Sequence, residues 1–338
     1  MKVSLISRTE LIFISAICYL AFFNLQGGYG HFVNLLVVIL LLLYSRIRIN
    51  KYMLIFVMII PIYFMLPLSN NLDVIAKSGS ISIFLCVFIL VGSAEFGRKF
   101  GRIRSLLPML MVLLLIAVAI SVIFAPVQER DTLWFPWGHT NRASLNGLNS
   151  NATAFILLIV LLAVQQRNKF LTFMLQLITV CVTASRGALV GWAVTLGKSY
   201  LFILLTFIII AVSTLAAFSD RLRHISGNPR LIYWENTLID WSHGSAYQLF
   251  FGHRASIIID STYLNILYSY GIIGVVILIF SLVSVYRKFL RVSHAFAASV
   301  LLISCAMIFY EFWGQTKILI ALMTLKVFFW SSHETKAS

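Results

Sequence analysis

Charged side chains are scarce in this sequence, at 11% of 338 residues, where a soluble domain carries about 25%. Acids are scarcer still: 11 Asp and Glu face 26 Lys and Arg, for a formal charge of +15. With 60% hydrophobic residues, a soluble fold of this size would lack the polar surface to cover itself. The positive charge comes without a zinc-finger spacing, a phosphate-gripping glycine loop or an aromatic–basic RNA pattern, which removes nucleic acid as a partner. Cysteine is limited to Cys18, Cys86, Cys181 and Cys305, each inside an apolar stretch and none in a CxxC pair. That pattern excludes a disulfide framework and reads as small hydrophobic residues within helices. No internal repeat is present, and the Gly and Pro positions give no matched pair of broken helices in two halves. An inverted-repeat carrier is therefore disfavoured.

What the sequence has instead is apolar runs. Leu35 to Leu43 holds no polar residue, and Phe202 to Ile210 holds only Thr206. In hydrocarbon such blocks need no polar face, because helices satisfy their own backbone. Twelve spans are expected, at 11–23, 31–45, 52–68, 73–92, 106–124, 151–165, 170–185, 187–197, 200–218, 262–285, 293–310 and 316–330. Lys2 and Arg8 precede the first run, and no small-residue cleavage site follows it, so that run reads as an uncleaved span. The chain is accordingly expected to be an all-α polytopic integral membrane protein with one membrane domain over 1–338.

The basic residues give an independent check on that count. With the N-terminus inside, the alternation places Lys2, Arg8, Arg46, Arg48, Lys51, Arg98, Lys99, Arg102 and Arg104 on the inner side. Arg167, Lys169, Lys198, Arg287, Lys288, Arg291 and Lys336 fall there too. The outer side receives only Arg130, Arg142, Arg186, Arg221, Arg223, Arg230 and Arg254. Short inner turns rich in Lys and Arg are what the positive-inside rule describes. Two long loops lie outside, at 125–150 and 219–261, and the working surface is expected on their side. Trp134, Trp137, Trp234 and Trp241 read either as interfacial anchors or as stacking platforms for sugars.

Three segments can carry chemistry. Thr183-Ala184-Ser185-Arg186-Gly187-Ala188 places a guanidinium at the outer boundary of two apolar stretches, where it must snorkel or find an anion. Gly187 and Gly191 allow close helix approach beside it. The outer loop adds Arg221, Arg223, Arg230 and Arg254, with His224, His243 and His253. Arginine forks match phosphate oxygens, although solvation alone also accounts for charges in a loop. The histidine spacing matches no zinc site, so no metal and no cofactor are expected. In Asp260-Ser261-Thr262-Tyr263-Leu264-Asn265, the hydroxyl residues suit a helix cap and Asp260 suits a helix start. Gly271-Ile272-Ile273-Gly274 then makes a small-residue break.

Taken in order, these segments resemble the O-antigen polymerase and O-antigen ligase family of membrane glycan-transfer enzymes. The resemblance rests on Ser185-Arg186-Gly187-Ala188, then Asn228-Pro229-Arg230-Leu231-Ile232-Tyr233-Trp234 and Leu249-Phe250-Phe251-Gly252-His253. It closes with Ser261-Thr262-Tyr263-Leu264-Asn265-Ile266-Leu267 and Gly271-Ile272-Ile273-Gly274. It implies a bacterial inner-membrane enzyme that handles glycans on undecaprenyl pyrophosphate, with its active site facing the periplasm. Arg186 and Arg230 would stabilise charge on the pyrophosphate, and Asp260 would orient or deprotonate the acceptor. Arg254, His253, Arg223, Trp234 and Tyr263 are the expected substrate contacts. Ligases carry a His-Asn pair where this chain has Asp260-Ser261, which favours the polymerase branch. A ligase acting on lipid A core and a lipid-linked glycan transporter are the alternatives. A chain-length regulator and a flippase are the protein partners implied.

The charge pattern makes sidedness testable. Cysteines introduced at Ser144 and Ser245 are expected to label from the periplasm, and one at Asn168 only with access to the cytoplasm. Cytoplasmic labelling at Ser245 in folded protein would overturn the assignment.

Overall fold

The computed structural model describes residues 27–45, 47–65, 72–93, 95–96, 150–164, 169–183, 186–196, 229–255, 261–309, 317–323 and 325–326, with isolated helical positions 11, 15, 112 and 116. The expected spans 11–23 and 106–124 apart from those isolated positions, all of 200–218, almost all of the 125–150 loop, and Arg223 and Asp260 lie outside these residues.

The architecture is helical. In chain order the elements are α1 (Gly27–Tyr44), α2 (Lys51–Met65), α3 (Leu72–Ser93), α4 (Ser150–Val164), α5 (Lys169–Thr183), α6 (Arg186–Leu196), α7 (Pro229–Ser242), α8 (Ala246–Phe251), α9 (Thr262–Val292) and α10 (His294–Phe309). Residues 317–323 are helical as well. Among the described residues a two-residue antiparallel pair is the one exception: β1 (Ile47–Arg48) sets Ile47 opposite Phe96 and Arg48 opposite Glu95 of β2 (Glu95–Phe96). The bounds of α1 to α6 and α10 fall close to those read from the apolar runs. Polar punctuation, which cannot enter hydrocarbon cheaply, marks both.

Two expectations need correction. Among the described residues only α9 is long and apolar enough to cross a membrane, so the count of twelve spans is not supported. The other apolar stretches, Val33–Tyr44, Lys51–Met65, Lys77–Ser93, Ala152–Leu162 and Phe296–Ile308, are shorter than the roughly 20 residues that a crossing needs. The outer segment 219–261 is also not an irregular loop throughout, because it contains α7 and α8. Pro229 opens α7, where a missing N–H costs nothing. Ser245 caps α8 with a full capping box: its hydroxyl accepts from the Gln248 N–H, and the Gln248 side chain accepts from the Ser245 N–H at 2.8 Å.

Packing fixes the relative directions of the helices. Tyr270 in α9 meets Ser78 near the start of α3, and Lys288 meets Ser93 at its end, so α3 and α9 run parallel. The two approach closely where a Cβ on Gly92 would sit 2.5 Å from Val285. Contacts of Tyr63 with Tyr270 and of Phe56 with Phe280 set α2 antiparallel to α9. α10 folds back along α9 through Phe289 against Phe296 and Tyr263 against Ser304. α6 packs on α10 and α4, with Gly191 set against Leu302 and Phe155. The buried Trp192 indole donates to Gln176 at 2.9 Å, tying α6 to α5.

One end of this bundle is basic. A helix leaves its last carbonyls without partners and carries partial negative charge there. At the end of α3, Lys288 Nζ donates to the Ser93 carbonyl at 2.9 Å, and the buried Lys326 donates to the carbonyls of Val91 and Gly92. The β1–β2 pair lies at the same end.

At the other end α9 breaks. Gly271 has φ +67° and ψ −167°, and a Cβ there would fall 2.3 Å from the Phe250 carbonyl oxygen. Gly271→Ala is therefore expected to destabilise the detergent-solubilised protein by at least about 2 kcal/mol, read as a drop of several degrees in Tm. Gly79→Ala, where an added Cβ meets nothing within 4 Å, should stay within about 1 kcal/mol of the parent.

Candidate functional site

The break in α9 builds the site. The last turn before a break has no helical N–H in line for its carbonyls, and a buried unpaired carbonyl costs about 1–3 kcal/mol. Three carbonyls at this break are met from elsewhere in the chain. The His253 N–H donates to the Tyr268 oxygen at 2.8 Å, and the Arg254 N–H to the Ser269 oxygen at 3.0 Å. The Tyr63 hydroxyl donates to the Tyr270 oxygen at 2.6 Å and accepts from the Gly274 N–H. In return, the Ser269 hydroxyl donates to the Ala255 carbonyl at 2.7 Å.

The segment after α8 can lie this close only because Gly252 lacks a side chain. A Cβ there would sit 2.3 Å from the backbone of Ser269 and Tyr270, and its φ is +80°. The turn carries into Arg254, whose φ of +52° makes it the one non-glycine residue in the left-handed region among those described. A bulky residue held in that region marks a position that the surrounding structure over-determines.

Arg254 projects onto a built surface. Its guanidinium carbon lies 5.2 Å from the ring centre of Tyr63 and 5.2 Å from that of Tyr270. Its Nη1 donates to the Tyr63 carbonyl at 3.3 Å, close to the end of α2. Its buried Nε has no hydrogen-bond partner. The Tyr270 ring is held in turn by Phe64 at 4.7 Å, edge to face, and by a 2.6 Å hydrogen bond between its hydroxyl and that of Ser78. His253 stacks on Tyr268 at 4.5 Å, and its buried Nε2 is also without a partner. On α7, Trp234 and Trp241 recur two turns apart, each with a buried indole N–H that has no acceptor. α7 packs on α9 and α8, so these groups belong to one unit.

The chemistry of this unit is one-sided. It offers a fixed cation and spare N–H groups, and no described carboxylate pairs with Arg254. An anion or an oxygen-rich ligand is what such a set can take up.

The other sequence-derived residues fall in different places. Arg186 is the first residue of α6 and Arg230 the second of α7. α6 packs on α10 and α4, whereas α7 packs on α9 and α8. Tyr263 is half-buried between α9 and α10, beside Ser304 and Cys305, where packing accounts for it. Ser261 takes the N-cap position of α9, but its hydroxyl makes no capping bond. Among the described residues no three His, Cys, Asp or Glu gather as a metal site. His243 turns back on its own helix, with Nδ1 2.8 Å from the Ile239 carbonyl.

Tyr63, Ser78 and Tyr270 were not legible as site residues in the sequence. The only hint was the glycine pair Gly271 and Gly274, which marks a break and thus a demand for outside hydrogen bonds.

The chain matches no protein-family model and no curated protein sequence.

Proposed function

We propose that this chain is a membrane glycosyltransferase of the O-antigen polymerase kind, joining lipid-linked oligosaccharide repeat units at the periplasmic face of the bacterial inner membrane. The observation that carries the reading is the union of two separated segments at the α9 break. Gly252-His253-Arg254, from the outer loop, is seated on Tyr268-Ser269-Tyr270-Gly271 of the next motif. Gly252-His253 and Gly271 belong to the pattern on which the resemblance to polymerases and ligases rests, and the other residues adjoin it.

A bilayer setting has further support. Large apolar side chains stand exposed along one face of α2, at Leu54, Ile55, Met58, Ile59 and Ile62, and along α9 at Val276, Ile279, Phe280 and Val283. Such stripes are expensive in water and unremarkable against lipid. The helix directions agree with the charge-based sidedness as well. Segments assigned to the inside, around Arg48, Glu95 and Lys288, gather at one end, and the Arg254 unit gathers at the other. We take the short apolar stretches as parts of a polytopic membrane domain, with α7 and α8 on its outer face.

In the proposed reaction an acceptor hydroxyl on one lipid-linked glycan attacks the anomeric carbon of another. The new glycosidic bond forms as the bond to undecaprenyl pyrophosphate breaks, and the diphosphate leaves with the electron pair. Asp260 orients the acceptor hydroxyl or takes its proton. Arg186 and Arg230 meet the charge that builds on the leaving group, where fixed donors contribute most. Arg254 and His253, with Arg223, Trp234 and Tyr263, hold the substrate.

The deciding experiment supplies purified protein with its lipid-linked repeat unit. A ladder of longer lipid-linked glycans is expected; transfer only onto lipid A core would establish a ligase instead. Arg186→Lys and Arg230→Lys should each slow ladder formation by roughly a hundredfold at matched protein levels, since lysine keeps the charge and loses the planar fork worth about 3 kcal/mol. Near-normal rates for both would reject the charge-clamp role. Asp260→Asn is expected to lose less unless its carboxylate accepts the proton. Ladder formation should also survive a divalent-metal chelator, because arginines can neutralise diphosphate directly. Restoration of a lost activity by one specific metal would count against that.

A further inference from the structure

Arginine is a long side chain, and its position is expensive to fix, because its rotamer freedom opposes any single geometry. Arg254 meets that cost with contacts from two helices. Tyr63, in α2, supplies a ring face and a backbone carbonyl to the guanidinium. Tyr270, in α9, supplies a second ring face, itself held by Ser78 of α3 and by Phe64. The same Tyr63 hydroxyl bridges the Tyr270 carbonyl and the Gly274 N–H, so ring and break are locked together. One guanidinium edge is thus committed to protein, while Nε remains without a partner. Two tyrosine faces hold the plane of a guanidinium but cannot hold an ammonium in the same way.

We infer that Tyr63 and Tyr270 are positioning residues that orient Arg254 to present its remaining donors to a prenyl-linked diphosphate. This rests on the glycan-transfer reading for the identity of the ligand, and names two residues, Tyr63 far in sequence from every motif and Tyr270 just before Gly271, through which the substrate group is held. Neither tyrosine touches the diphosphate: they act through Arg254.

The test is binding of farnesyl diphosphate, a short prenyl diphosphate, to the full-length protein in detergent by titration calorimetry, alongside the glycan-ladder assay. Arg254→Gln and Tyr63→Leu are each expected to weaken binding by at least about tenfold, and Arg254→Lys by about fivefold or more. Tyr63→Phe keeps the ring, and should bind within about threefold of the parent even if its Tm falls with the lost hydroxyl bridge. The decisive readout is the double variant. If Tyr63 acts through Arg254, Tyr63→Leu should add almost nothing in the Arg254→Gln background, whereas a merely structural role would add its full effect. Should Tyr63→Leu fail to give a cooperative unfolding transition, Tyr270→Leu takes its place in the cycle.

Wild-type protein that does not bind the diphosphate overturns the inference, as does parental binding by Tyr63→Leu or by Arg254→Gln, and so does additivity in the double variant. The two readings fail separately. Ladder formation that persists with diphosphate binding indifferent to Arg254 and Tyr63 sinks the positioning role alone. The expected binding pattern in a protein that makes no ladder sinks the polymerase reading and leaves the positioned arginine standing.

Discussion

One interrupted stretch of backbone hydrogen bonding, at Gly271, is the constraint on which the described structure turns. Away from water a carbonyl without a donor is costly, and in hydrocarbon there is no solvent to relieve it. The oxygens of Tyr268, Ser269 and Tyr270 therefore require partners, and the chain brings them from two distant places, the turn after α8 and the end of α2. Docking of the α7–α8 unit onto α9 follows from that need. So does the absence of a side chain at Gly252 and at Gly271, since each backbone occupies the space of the other's Cβ.

The opposite end of the bundle meets the same kind of demand with different chemistry. The carbonyls that close α3 are taken by Lys288 and Lys326, cations at the negative pole of a helix. α3 is thereby tied to α9 at both ends, through Ser78 with Tyr270 and through Ser93 with Lys288. Close approach at Gly92 and Val285 lies between those ties. The result is a braced pair of parallel helices against which the α7–α8 unit packs. A group fixed to such a frame needs little reorganisation when a ligand arrives.

Arg254 is the clearest beneficiary. It sits on a short turn, yet its guanidinium is fixed by rings and a carbonyl from two helices, α2 and α9, rather than by neighbours in the loop. Its backbone holds a left-handed conformation uncommon outside glycine. Strain of that kind persists where several contacts oppose its release, and here the Arg254 N–H bond to Ser269 and the Gly252 contact do so. A cation held in this way, with no described carboxylate beside it, is suited to meeting negative charge as it develops.

The sequence by itself determined the class of the fold. Apolar runs and their polar punctuation located α1 to α6 and α10, because helices in an apolar setting need only a continuous run of suitable residues. It also marked the Gly271–Gly274 break, since glycine is where an L-residue chain most readily leaves helical angles. The helices α7 and α8 were hidden, because their mixed polar and aromatic composition is equally that of a loop, and only packing on α9 distinguishes the two. The arginines were visible as residue types, but their surroundings were not. Nothing in the run Pro61-Ile62-Tyr63-Phe64 says that a tyrosine will complete a helix broken some two hundred positions later. That pairing depends on which helices lie side by side and in which direction, a property of the assembled bundle that no local pattern encodes.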